Sequence, residues 1–94
     1  MRAIRDGKLY DTATAEKIFS FCRKVAGNEI AWLPGYCFVR PHDIDLYRTK
    51  SGAYFEHDVD AGNIRTITEY EATDIVRRLD ADKYIELFGD VPEA

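Results

Sequence analysis

Two four-residue segments, His42-Asp43-Ile44-Asp45 and His57-Asp58-Val59-Asp60, repeat one pattern, H-D-x-D, and between them hold both histidines of the chain. Imidazole nitrogens and carboxylate oxygens are ligands for zinc or manganese, so His42, His57, Asp45 and Asp58 form one candidate metal set, that of a small metal-binding protein or a metal-dependent enzyme. A row of carboxylates can instead present an acidic surface to a basic partner, with a spacing that imitates phosphates. Asp43, Asp45, Glu56, Asp58 and Asp60, with Tyr54 beside them, are the residues for that surface. A third reading is structural: Asp is common at strand ends, and Asp45 and His57 would make a surface ion pair worth under about 1 kcal/mol.

Other chemistry is sparse. The chain has no G-x-x-x-x-G-K-[ST], G-x-G-x-x-G, G-x-S-x-G or H-E-x-x-H pattern, so no cofactor and no catalytic residue is assigned. Cys22 and Cys37 do not form a C-x-x-C pair. They read as two reduced, buried thiols of an intracellular protein, with a mutual disulfide as the alternative. Trp32, Tyr36, Tyr47, Tyr54 and Tyr70 would suit a base-stacking platform, but a net charge of −4 argues against a protein that grips nucleic acid through its phosphates. The aromatics therefore read as core or rim.

The elements that would position these groups follow from length and pattern. Ninety-four residues make one domain with one modest core. Hydrophobic residues are 46% and charged residues 32% of the chain, a globular composition. No apolar run approaches the roughly 18 residues that span a bilayer, and the N-terminus lacks an apolar signal core. The expected location is the cytoplasm.

Asp6-Gly7 is a two-residue hairpin signal that pairs Ile4 with Leu9. Asp11 or Thr12 can cap a helix start, and Ala15, Ile18, Phe19, Cys22, Val25 and Ala26 then fall on one helical stripe that ends at Gly27. Phe21 lies off that stripe and is read as widening the buried face. Pro34-Gly35 suits a type II turn before the strand formers Tyr36-Cys37-Phe38-Val39, with Pro41 as the stop.

Lys50-Ser51-Gly52 is a three-residue hairpin loop with Gly52 in the left-handed position. Its register sets Thr49 against Ala53, Arg48 against Tyr54, Tyr47 against Phe55, Leu46 against Glu56 and Asp45 against His57. Tyr47 and Phe55 share one face; Arg48, Tyr54 and Glu56 share the other. A strand through Ile64 leads to Thr68, which forms a capping box with Glu71, and Ile67 and Ala72 stand as a hydrophobic staple. Ala72, Ile75, Val76 and Leu79 are the buried stripe of that helix, with Arg77 and Arg78 outward. A last helix carries Tyr84, Ile85, Leu87 and Phe88 into the core and ends at Gly89, before the tail Asp90–Ala94. The fold class predicted is α+β: an antiparallel sheet of about five to seven strands built from hairpins, with one N-terminal-half helix and two C-terminal helices packed on it.

"GKLYDTATAEKI" and "LYRTKSGAYFEH", followed by a strand into "ITEYEATDIVRRL", resemble a family of small proteins from phages, prophages and other mobile elements of bacteria. The shared pattern is K-L-Y-[DN]-T-x-T-A, then L-Y-[RK]-T-K-x-G-x-[WYF]-F, then a capped helix, and it covers about two-thirds of the chain. These motifs are turns and caps, so the resemblance carries no active-site residue. It implies a non-enzymatic inhibitor of host defence, in the manner of the small acidic anti-CRISPR proteins. The partner implied is a nucleic-acid-binding CRISPR effector subunit, met without direct nucleic acid or membrane contact by a monomer or homodimer. The stretch Asn28–Pro41 and the H-D-x-D pair depart from the family pattern, and a partner-specific surface would be built there.

Overall fold

The computed structural model describes residues 1–27 and 38–94, with side chains on 1–25 and 40–94. Strands β1 (Arg2–Arg5) and β2 (Lys8–Asp11) form a two-stranded antiparallel sheet. Asp6 and Gly7 take φ of 51° and 73°, the left-handed pair that a tight hairpin turn needs, and Ile4 faces Leu9. A second antiparallel sheet has the order β3 (Glu16–Gly27), β4 (Phe38–Arg48), β5 (Tyr54–Asp58), β6 (Asn63–Ile67). Helices α1 (Glu69–Leu79) and α2 (Ala81–Phe88) close the chain.

The class is α+β, with two corrections. Among the described residues the strands form separate sheets of two and four, not one sheet of five to seven. The predicted N-terminal-half helix does not exist: β3 occupies its residues. The capping signal was real, but it closes a single turn. Asp11 Oδ1 accepts the Ala13 N–H at 2.9 Å, and the Asp11 carbonyl accepts from Thr14 and Ala15. Beyond that turn Phe19, Phe21, Arg23 and Val25 alternate with Ser20, Cys22 and Lys24, which is strand period, and the aromatic and β-branched residues favour it. A bulge at Ile18 shifts the register between Lys17 and Phe19 and puts Ile18 into the core at 3% exposure. Cys22, expected to be buried, is an exposed free thiol. The expected Pro34-Gly35 turn, Trp32, Tyr36 and Cys37 lie outside the described residues.

Pro41 does not end β4; it sits inside it, opposite Lys24. Strand β5 reaches only to Asp58, opposite Ile44, so β4 has one neighbouring strand at Pro41 and a residue without an N–H is tolerated there. The β4–β5 hairpin has the expected register: Arg48 with Tyr54, Tyr47 with Phe55, Leu46 with Glu56, Asp45 with His57. Gly52 at φ 90° makes its turn, and the Thr49 N–H bonds the Ala53 carbonyl at 2.8 Å.

Alternation then assigns the faces. On one, Leu46, Tyr54 and Ile18 pack with Ala72 and Val76 of α1, joined by Phe19, Ile67, Tyr84, Leu87 and Phe88. On the other, Tyr47, Phe55 and Ile64 pack with Tyr10 of the β1–β2 hairpin. Phe55 is fully buried there, stacked on Tyr47 at 5.0 Å and met edge-on by Tyr10 at 5.7 Å. The capping box at Thr68 and Glu71 forms as expected. In α1 the buried stripe is narrower than expected: Ala72 and Val76 are fully buried, but Leu79 is 57% exposed. Ile85 of α2 also faces outward. Among the described residues no helix is long and apolar enough to cross a membrane.

Candidate functional site

The two H-D-x-D segments meet. His42 Nδ1 lies 2.8 Å from Asp58 Oδ2. Asp60 Oδ2 accepts the Asp43 N–H, and the Val59 N–H bonds the Asp43 carbonyl at 3.0 Å. The turn after β5 is closed by Asp58, which accepts the Ala61 N–H on its other oxygen and the Gly62 N–H on its carbonyl. Burial pushes the Asp58 carboxyl up, but the Ala61 N–H and the His42 ring outweigh it and hold it below the usual carboxylate range. The repeat therefore builds a laced corner where β4 leaves the end of β5.

Strand alternation divides the candidate residues between faces. His42, Ile44, Tyr54, Glu56 and Asp58 lie on the helix side of the sheet; Asp43, Asp45 and His57 lie on the opposite side. The four residues of the metal reading are thus split two and two by the sheet. Among the described residues no three His, Cys, Asp or Glu side chains converge to hold an ion. Asp45 and His57 do face each other, but Asp45 accepts its hydrogen bond from Ser20 Oγ at 2.8 Å.

The six residues expected to form one acidic surface are divided in the same way. Tyr54, at 7% exposure, belongs to the helix-side core, so it is not a surface contact. Glu56, at 3% exposure, lies beneath two arginines. Arg23 reaches from β3 across β4 and donates Nη1 and Nη2 to its two oxygens at 2.8 and 2.7 Å, and Arg65 on β6 donates Nε at 3.2 Å. Burial pushes the Glu56 carboxyl up; the hydrogen bonds and charges of Arg23 and Arg65 outweigh it, and its pKa is lowered. In return the Glu56 hydrogen bond raises the Arg23 guanidinium. This charge is internal and already neutralised.

Three carboxylates remain for a partner. Asp43 and Asp60 are exposed, and Asp45 is half-buried beside Ser20. They surround Val59, which is 50% exposed, and Ser20, Phe21, Asp43, Ile44, Asp45 and Val59 line an open depression between them. The partnership of Arg65 with Glu56 comes from the β5–β6 register, which sets the two directly opposite each other and which the sequence pattern did not assign. That of Arg23 depends on β3 being a strand. No protein-family model matches the chain, and neither a curated protein nor a solved structure is significantly similar to it.

Proposed function

We propose that this chain is a non-enzymatic binding protein that docks Asp43, Asp45 and Asp60, arranged around Val59, onto a basic surface of a host protein. The observation that carries this reading is the division of charge. Glu56 and Asp58 are satisfied within the fold by Arg23, Arg65 and His42, while Asp43 and Asp60 are exposed and Asp45 is half-buried about an exposed apolar residue, with no cation bonded to any of the three among the described residues. Carboxylates around an apolar centre match Arg and Lys side chains that otherwise hold phosphates. The resemblance to mobile-element proteins points to a nucleic-acid-binding subunit of a CRISPR effector, met in the bacterial cytoplasm. Occupying such a surface would inhibit it without any chemical step.

The test is competition. A purified effector complex is titrated with the protein while its binding to labelled target nucleic acid is followed by fluorescence anisotropy. The wild-type chain displaces the nucleic acid, and the Asp43→Lys/Asp45→Lys/Asp60→Lys variant does not. Circular dichroism and melting check that the variant keeps its fold, since Asp60 and Asp45 each accept one hydrogen bond. A folded triple variant that competes as well as the wild type overturns the reading.

A further inference from the structure

Strand β3 is the edge of the four-stranded sheet and twelve residues long. Among the described residues its only strand neighbour is β4, and no backbone hydrogen bond is made on its outer side. A long uncovered edge is a template for another strand. It runs beside open grooves, one with Phe21 and Arg23 against Ile75, Arg78 and Leu79 of α1, another with Lys17 and Phe19 against Asp80 and Lys83.

We propose that this edge pairs with β3 of a second copy of the chain, antiparallel about a two-fold axis at Ser20, to make one continuous eight-stranded sheet. The charges of β3 select the partner and the register. With Ser20 opposite its own copy and Ile18 held in its bulge, Phe19 faces the partner's Phe21 and Lys17 faces the partner's Cys22. Glu16 then faces the partner's Arg23, and each contact occurs twice. The Glu16–Arg23 pair is complementary: the Glu16 side chain is 68% exposed and, among the described residues, held only by a 3.4 Å surface contact with Arg48, and Arg23, which gives Nη1 and Nη2 to Glu56 and lies over the Phe21 ring, keeps its Nε for the partner's Glu16. Moving the axis to Phe21 would set Lys17 against Lys24, a like-charge pair. Moving it to Phe19 would set Glu16 against Phe21 and leave Arg23 unmatched.

The axis stands perpendicular to the sheet, so like faces join and both helix pairs lie on one side. On the other side Lys17 comes next to the partner's Cys22, whose own neighbour across β4 is Asp43. The Asp45 residues of the two copies are three strand spacings apart, about 14 Å, which is beyond the screening length at physiological salt. The dimer therefore gathers both acidic surfaces on one face without strong repulsion. The pairing rests on β3 alone and does not depend on what those surfaces bind.

Analytical ultracentrifugation across a dilution series, with site-directed cross-linking, tests the proposal. The wild-type chain is expected to sediment with twice the monomer mass. Glu16→Lys places two like-charge pairs in the interface and weakens dimerisation about tenfold or more. In a Cys22→Ala/Cys37→Ala background, Ser20→Cys is expected to oxidise to a disulfide dimer linking position 20 to itself, far faster than Thr66→Cys on the exposed surface of β6. A monomer at every concentration overturns the proposal, and so does a Ser20→Cys variant that cross-links no faster than Thr66→Cys. A dimer that is indifferent to Glu16→Lys overturns the register.

Discussion

His42 and Asp58 meet at 2.8 Å and tie the first H-D-x-D segment to the second, so the repeat is a corner clasp between β4 and the β5–β6 turn. Asp58 is held on the helix side of the sheet by His42, whereas the side chains of Asp43 and Asp60 are exposed, Asp60 keeping one oxygen on the Asp43 N–H.

Acid should loosen the clasp and the Glu56 centre together. Both carboxyls have folded pKa values below their ordinary ones. A group lowered by folding contributes stability above its unfolded pKa and loses it as pH falls through the folded one. The melting temperature should therefore be level down to about pH 5 and fall below it. Glu56→Gln should flatten that fall, and an acid limb of unchanged slope in thermal melts of the variant would contradict the assignment.

Glu56 depends unequally on its two arginines. Arg23 is 36% exposed and bidentate; Arg65 is 58% exposed and holds one oxygen. Arg23→Ala should cost about 2 kcal/mol in urea unfolding, below the usual figure for a fully buried pair because Arg65 and water remain. Arg65→Ala should cost about 1 kcal/mol or less. The double variant should exceed the sum, because it leaves a buried carboxylate without either cation. Additive and negligible effects would show that the centre is not coupled.

Two residues of one helical stripe should behave differently. Val76 is fully buried against Leu46 and Tyr54, while Leu79, one turn on, is 57% exposed. Val76→Ala should cost about 2 kcal/mol and Leu79→Ala under about 1 kcal/mol. Equal costs in chemical denaturation would place Leu79 in a core that the fold does not give it.

Strand β3 can be checked through its thiol. Cys22 is exposed, so a water-soluble maleimide should label it in the native protein as fast as in urea, as read by mass spectrometry of its peptide. Native labelling that stays slow at dilutions where β3 is unpaired, and accelerates only on unfolding, would restore a buried Cys22.

Much of this fold was legible, and the exceptions have physical causes. The β4–β5 register followed from one residue, Gly52, because a three-residue loop with a left-handed glycine allows a single pairing. The Thr68–Glu71 box was legible because both halves of the motif are local. In β3 two periods coexist. Ile18, Phe19, Cys22 and Val25 satisfy helical spacing, while Phe19, Phe21 and Val25 satisfy alternation, and tertiary pairing with β4 decided between them. The acidic cluster was misjudged by proximity in sequence. Asp45 opposite His57 already required Glu56 and Asp58 to point to the other face, and alternation separates neighbours that a linear reading groups together.

The most direct test of the docking surface is capture of a purified CRISPR effector complex by the tagged wild-type chain and by the Asp43→Lys/Asp45→Lys/Asp60→Lys variant, at low and high salt. The wild type should retain a nucleic-acid-binding subunit at low salt and release it at high salt, and the folded variant should retain none. Equal retention by both proteins, or retention indifferent to salt, would contradict docking through Asp43, Asp45 and Asp60.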